Sequence, residues 1–283
     1  MAPAASFIVR AKDKAGTIER TLRSIRDQSV AAEIVVVDSG SVDGTLELAE
    51  RWADRVVRIP PERFTYGYAL NLGAEHATGP VHVALSAHCA LPRADWLALC
   101  LRHYDRPDVA AVNGRRAKRD EPGLPGTFLQ DHAHACEHPW WGFSNHASSW
   151  RADVWRRHRF DELLGYAEDK EWALRVLSEG WVIAFDVGLF VDMSHQWRTT
   201  LREFTSRQRR SAQAIASFSP TARYGPLELA VDWWSGDVDH RPAWRRRLSP
   251  RRIAGLLAKF RGFRAGVRQR HQRRRAASTL PRR

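Results

Sequence analysis

The chain has 283 residues, 43% of them apolar, which is enough for one large α/β domain or two small ones and too apolar for a disordered chain. Its net charge of +13 belongs to one end: residues 241–283 hold 16 of the 45 Lys and Arg and no Asp or Glu. The first 240 residues keep 29 basic against 32 acidic groups, so the body is near neutral and the tail needs its own explanation.

The N-terminus, Met1-Ala-Pro-Ala-Ala-Ser-Phe7, lacks the charged-then-apolar pattern of a signal peptide and passes directly into a buried strand at Ser6–Val9. Thr17–Asp27 has Ile18, Leu22 and Ile25 on one helical face. Glu33-Ile-Val-Val-Val-Asp38 is the clearest strand, and Asp43 is placed to cap a helix through Trp52. Strands at 55–59 and 81–85 enclose a helix over 69–77, and a helix over 96–104 leads to a strand at 109–113. Such alternation predicts a largely parallel sheet covered by helices, with ligands at the carboxyl ends of its strands. Residues 120–145 break the rhythm with three Pro, several His and Trp140-Trp141, and read as a long irregular insertion. A strand at 147–150, helices after Arg151 and over 168–178, and a strand at 181–186 follow. No apolar run of 18 residues offers a membrane-spanning helix, and three unevenly spaced cysteines (Cys89, Cys100, Cys136) suit a reduced compartment. A cytoplasmic location is therefore expected.

The most informative stretch is Val35-Val-Val-Asp-Ser-Gly-Ser-Val-Asp-Gly-Thr45. A buried strand ends in a carboxylate, then a Gly turn, then an Asp that can start a helix. Asp38 stands where it can accept hydrogen bonds from a base or ribose, and equally where it can cap its own turn.

Three more pieces occur in order with this turn. They are Phe7-Ile-Val-Arg-Ala-Lys-Asp-Lys14; Ala69-Leu-Asn-Leu-Gly73 through Ala77-Thr-Gly79 to Leu85-Ser-Ala-His-Cys-Ala-Leu-Pro92; and Phe160-Asp-Glu-Leu-Leu164 with Glu168-Asp-Lys-Glu-Trp-Ala-Leu-Arg175 and Gly180. Together they resemble the nucleotide-diphospho-sugar transferases of glycosyltransferase family 2, over residues 6–213, in wording nearest the rhamnosyltransferase-like branch. The resemblance implies a GT-A fold over residues 1–240, a mixed and mostly parallel Rossmann-like sheet flanked by helices, with a basic tail over 241–283. It implies an inverting transfer of a hexosyl or deoxyhexosyl unit from a nucleotide sugar to an acceptor hydroxyl, on a lipid-linked glycan or a natural product. The donor site would comprise Arg10, Ala11, Lys12, Asp13, Asp38, Gly40, Asn71, Ser86, Ala87 and His88. In the family the Asp of the Glu168-Asp169 pair is the general base, which makes Asp169 catalytic with Glu168 beside it. A single displacement needs only one such carboxylate, whereas glycoside hydrolysis needs two. Asp169 is also placed to serve only as a helix-start residue, favoured by the dipole.

Two departures from the family pattern matter. The Asp-X-Asp that holds a divalent metal on the diphosphate is replaced by Ser86-Ala87-His88. Imidazole suits Mn²⁺ and later metals better than Mg²⁺, so a metal held by His88 and by His195 of Asp192-Met-Ser-His195 is one reading. A hydrogen bond from His88 to phosphate or acceptor, without metal, is the other. Secondly, Arg10, Lys12 and Lys14 stand where the family has neutral or acidic residues, either to offset diphosphate charge or as a solvated basic loop.

Asp131-His-Ala-His-Ala-Cys-Glu-His138 puts His134 and His138 on one face of a helix but matches no closed zinc site. It reads instead as an acceptor loop, in which Trp140, Trp141 and Asn145 would meet the acceptor, or in which the two tryptophans anchor the loop. In the tail, Ile253, Leu256, Leu257, Phe260, Phe263 and Val267 share a helical face among Arg251, Arg252, Lys259, Arg261, Arg264 and Arg268. That pattern suits an anionic membrane surface or packing on the body, with a disordered end after Arg268.

Other classes fit less well. A Rossmann dehydrogenase needs Gly-X-Gly-X-X-Gly after the first strand, and Arg10–Thr17 has one Gly. A nucleic-acid-binding protein acting through the tail lacks a recognition motif in its body. A relative that binds a nucleotide sugar without turning it over remains compatible with Ser86-Ala87-His88.

Overall fold

The computed structural model describes residues 2–116, 126–193, 200–235 and 249–278. Its contacts divide into two compact units, one of residues 1–135, 141–164 and 168–196, the other of 136–140, 165–167 and 197–283.

The first unit is built on β1 (Ser6–Ala11), α1 (Ala15–Arg26), β2 (Glu33–Asp38), α2 (Thr45–Trp52), β3 (Arg55–Arg58), α3 (Tyr66–Glu75) and β4 (Val81–Ser86). There follow β5 (Cys89–Ala90), α4 (Trp96–Arg102), β6 (Val109–Arg116), β7 (Thr127–Gln130), α5 (His132–Glu137), β8 (Ala147–Arg151), α6 (Ala152–Arg157), α7 (Glu168–Leu177) and β9 (Val182–Met193). The strands order as β3-β2-β1-β4-β8-β6-β9-β5, with β7 on β9. β1 to β4 are mutually parallel, β8 runs antiparallel between β4 and β6, and β6 and β9 are parallel. This is the mixed, mostly parallel α/β sheet that the sequence predicts.

Both faces of the sheet are covered, which is why its strands read as continuous apolar runs. Phe7 and Val9 of β1 pack with Ile18, Leu22, Ile34, Val36 and Trp96 on one face. Ile8 packs with Val37, Leu70, Ala84, Trp150 and Trp172 on the other. Each such buried side chain contributes about 1.5–3 kcal/mol.

The structure departs from the expectations in four places. α2 begins after Gly44, not Asp43, because Asp43 accepts from Thr45 N and from Ala15 N (both 3.1 Å) and so ties two segments together. Residues 126–145 hold β7 and α5 and are not an irregular loop; β7 is a short strand fixed by pairing with β9, which no local pattern announces. The strand expected at 181–186 extends to Met193 as β9, and the tail helix continues well past Arg268.

His82 of β4 is buried between Trp150 and Trp155, with ring centroids at 6.2 and 5.6 Å, and its Nδ1 has no hydrogen-bond partner. Burial first, and the charge of Arg156 second, lower its pKa from 6.5 to about 4. Between those values the unfolded chain binds more protons than the folded one, so stability falls as pH falls. Over the full window this amounts to about 3 kcal/mol. Urea unfolding of wild type and His82→Leu should diverge by that amount between pH 7 and pH 4; parallel pH dependences would clear His82 of the effect.

The second unit contains α8 (Leu201–Phe218), α9 (Pro226–Ser235) and α10 (Pro250–Ser278). Thr200 and Glu203 form a reciprocal capping box at the start of α8. α10 runs along α8 in the same direction through Gly255, Gly262 and Gly266. A Cβ on Gly262 would come within 3.0 Å of three backbone atoms of Arg209, so no larger residue fits without moving a helix. The charge change near residue 240 is therefore no division of the contacts: α8, α9 and α10 belong to one unit. α10 leaves Ile253, Leu257, Arg261, Arg264 and Arg268 exposed, while Leu256, Phe260, Phe263 and Val267 are half-buried. Only part of the expected apolar face is thus turned to solvent.

Candidate active site

Parallel pairing brings three candidate residues to the carboxyl ends of neighbouring strands. Asp38 of β2 is in register with Ala11 of β1, and Arg10 of β1 with Ser86 of β4. Adjacent strands lie about 4.8 Å apart, so Asp38, Arg10 and Ser86 share one edge.

Asp38 is 2% exposed. Its Oδ2 accepts from Gly40 N and Ser41 N at 3.0 Å each, and its Oδ1 from Ser41 Oγ at 2.5 Å. The turn needs Gly40, which has φ 84° and whose Cβ would strike Pro61 Cγ at 2.6 Å. The loop after β1 is stapled to this turn: Asp13 N donates to Ser41 Oγ at 2.9 Å, Val42 N to Asp13 Oδ1 at 3.0 Å, and Lys14 N to Thr45 Oγ1 at 2.6 Å. Asp13 itself takes φ 49°. Lys12 is exposed on this loop.

Ser86 N donates to His146 O at 3.2 Å, which carries the chain of β8 to the same edge. Ala87 is buried and its carbonyl accepts from Thr17 Oγ1 at 2.9 Å, while His88 is half-buried. Two residues before β8, buried Asn145 gathers the rest. Arg10 Nη2 donates to Asn145 O at 2.9 Å, Asn145 Nδ2 to Glu168 Oε1 at 3.3 Å, and Asn145 N to Asp169 Oδ2 at 3.3 Å. Ser148 Oγ donates to Asn145 Oδ1 at 3.1 Å and fixes the amide.

The two acids at the head of α7 differ. Glu168 is 5% exposed, whereas Asp169 is half-exposed. Burial pushes the Glu168 carboxyl up to about 7, the charge of Asp169 adds to this, and Arg10 and Asn145 pull the other way. Lys170 Nζ donates to Gly142 O at 3.3 Å and Phe143 O at 3.4 Å, and burial lowers its pKa against the pull of the two acids. Arg10 is no solvated loop residue: its side chain is 11% exposed, 3.9 Å from Glu168 Oε1, with its guanidinium 5.3 Å from the Tyr66 ring centre.

Asn71 lies elsewhere in the hydrogen-bond network. Its Nδ2 donates to Phe160 O at 2.9 Å and Glu162 Oε1 at 2.8 Å, and its Oδ1 accepts from Trp155 Nε1 and Phe160 N, both at 3.0 Å. Both donors and both acceptor positions of the amide are filled by protein. Trp141 packs on Phe185 and Phe128, at 4.4 and 5.9 Å between centroids. Trp140, in the second unit, packs on Tyr224 and Phe263 at 5.7 and 6.1 Å, with Lys259 Nζ 4.6 Å above its ring. Each tryptophan therefore anchors an aromatic cluster, and both are half-buried. Sequence reasoning gave no role to Tyr66, Ser41, Ser148 or Lys170, although Ser41 and Lys170 lay inside motifs.

Ser86, Ala87 and His88 offer one hydroxyl and one imidazole where hard cations need several oxygens. Among the described residues no three His, Cys, Asp or Glu side chains are grouped to hold a metal ion. His195, the other expected ligand, lies outside the described residues. The described donor set does not by itself fit a metal.

A sheet of this order, with an acidic turn after β2 and an acid pair at the edge of β1 and β4, defines the GT-A class of sugar transferases. The model of glycosyl transferase family 2 matches residues 6–166, and the chain belongs to that family. No curated protein matches the sequence. Among solved structures, a mannosyltransferase from Pyrobaculum calidifontis in complex with GDP-Man and Mn²⁺ is 22% identical, with 100% of this chain and 77% of that one covered and a TM-score of 0.60. S. aureus TarS 1-349 in complex with UDP-GlcNAc is 15% identical, with 95% and 91% covered and a TM-score of 0.56. Glucosyl-3-phosphoglycerate synthase from Mycobacterium tuberculosis, in complex with Mn²⁺, UDP and glucosyl-3-phosphoglycerate, is 20% identical, with 76% and 78% covered and a TM-score of 0.55. These likenesses show the fold.

Proposed function

We propose that the chain is an inverting glycosyltransferase that uses a nucleoside-diphosphate sugar. The observation that carries this reading is the half-exposed Asp169, held by Asn145 at the strand edge that Arg10, Asp38 and Ser86 share. Asp169 takes the proton of the acceptor hydroxyl while that oxygen attacks the anomeric carbon from the face opposite the diphosphate. The bond from the anomeric carbon to the phosphate oxygen breaks with its electron pair, and the nucleoside diphosphate leaves. Asp38 and its turn hold the base and ribose, using lone pairs beyond the bonds to Gly40 and Ser41. Backbone around Ser86–His88 and the cationic loop at Lys12 face the diphosphate, and Asn145 and Trp141 border the acceptor.

The test is a panel of UDP-, GDP- and other nucleotide-activated hexoses and deoxyhexoses, read by thermal shift and by donor hydrolysis. One nucleotide should stabilise the protein and its sugar should be released; binding with no turnover under any acceptor would mark a binder. Asp38→Ala should weaken that nucleoside diphosphate by about 1–3 kcal/mol in calorimetry, because a buried acceptor is lost. An unchanged dissociation constant would leave Asp38 a turn residue.

We further propose that the protein works at the cytoplasmic face of an anionic membrane on a lipid-linked acceptor. No helix of the described residues is long and apolar enough to cross a membrane. Support comes from the exposed stripe of α10, apolar at Ile253 and Leu257 and basic at Arg261, Arg264 and Arg268. Each cation near such a surface contributes about 1 kcal/mol. The full chain should float with vesicles containing phosphatidylglycerol at low salt, and the Arg261/Arg264/Arg268→Gln variant should float at least tenfold less. Equal flotation of the two would remove the stripe from the argument.

A further inference from the structure

We infer that Arg10 is a positioning residue for the base: its buried guanidinium anchors Glu168 and the Asn145 backbone, and so fixes the charge that stands beside Asp169. The inference rests on the reading of Asp169 as the base.

A cation at the carboxyl end of β1 is most simply assigned to the diphosphate, but the geometry directs Arg10 elsewhere. Nη2 donates to Asn145 O at 2.9 Å, and Nη1 is buried without a hydrogen-bond partner, 3.9 Å from Glu168 Oε1. Tyr66 lies against the guanidinium at 5.3 Å. The charged groups facing Glu168 among the described residues are Arg10 from β1 and Asp169 and Lys170 from its own helix. Lys170 Nζ is committed to the carbonyls of Gly142 and Phe143. Arg10 is thus the cation that opposes both burial and the Asp169 charge at Glu168.

The consequence for the reaction follows from Coulomb's law. With Glu168 ionised, Asp169 has a like charge beside it, and taking the acceptor proton relieves that repulsion. With Glu168 protonated, the relief is absent. Asn145 transmits the same anchor geometrically, since its backbone carbonyl holds Arg10, its backbone N–H holds Asp169 and its amide holds Glu168. Turnover should therefore rise as Glu168 ionises, near neutral pH.

The experiment has two readouts. Side-chain ¹³C-labelled Glu, with the Glu168 signal assigned from Glu168→Gln, reports the carboxyl titration in the full chain without any substrate. Arg10→Gln should move that titration upward by about 1–3 pH units, and Arg10→Lys should return it most of the way. In the kcat–pH profile the rise should shift in parallel in Arg10→Gln and vanish in Glu168→Gln, with the donor KM little changed. An unmoved Glu168 titration in Arg10→Gln, with a donor KM raised tenfold or more, would overturn the inference and return Arg10 to the diphosphate. If Arg10→Gln does not fold, Glu168→Gln decides alone: a surviving neutral-pH rise overturns the inference. Failure of the base reading shows up separately, as retained turnover in an Asp169 variant whatever the NMR titration does.

Discussion

Asp169→Asn is expected to lower turnover by roughly 10²–10⁴-fold while leaving nucleotide affinity nearly unchanged. Asn has the size and shape of Asp, and its remaining oxygen can still accept from Lys170 N, now at 2.8 Å. The weaker bond from Asn145 N, at 3.3 Å, is the one at risk. The head of α7 should therefore stay in place while the group that takes the proton is lost. Glu168 is a poor substitute because it is 5% exposed and tied to Asn145. Single-turnover measurements with saturating donor and acceptor separate chemistry from binding. Turnover within a fewfold of wild type would exclude Asp169 as the base.

The second large effect is one of stability. Asn71 is 1% exposed and holds four partners, of which Phe160 N, Phe160 O and Trp155 Nε1 are left in a dry interior if its amide is removed. Each unsatisfied buried group costs about 1–3 kcal/mol, and the losses are not additive. Asn71→Leu should therefore destabilise the protein by about 3–5 kcal/mol, a large part of a typical stability. Glu162, the fourth partner, is exposed and finds water. Urea denaturation followed by tryptophan fluorescence measures the change, and a loss under about 1 kcal/mol would show that the network relaxes. The same substitution loosens the segment from Phe160 to Leu164, which leads toward the acid pair.

Much of the sheet was legible because β1, β2 and β4 are buried on both faces and bounded by turn residues. The Asp38 turn was legible for the same reason: strand end, glycine and acid lie within eight residues. Helix α8 is harder to read, since Leu201–Phe218 is rich in Arg, Ser and Gln and its large apolar residues, Leu201, Phe204, Ile215 and Phe218, lie toward its two ends. Its capping box at Thr200 and Glu203 was the available clue. The setting of Arg10 could not be read at all. It depends on Asn145, 135 residues away, and on a salt bridge to Glu168, and no local pattern encodes such a meeting. Asn71 sat in a motif, but a motif does not say where an amide points.

The glycines that seat α10 on α8 have a further effect on the cations beyond them. An arginine-rich chain left to itself is a diffuse polyelectrolyte whose charges spread apart. Seated on Gly255, Gly262 and Gly266, the helix cannot roll, and Arg261, Arg264 and Arg268 stay on its outer side. At about 1.5 Å per residue they form a short rigid comb roughly 10 Å long. A comb of fixed pitch discriminates between arrangements of negative charge in a way a loose tail does not, and widening the seam with a single Gly262→Ala change should re-aim that comb without altering its pitch or its charge.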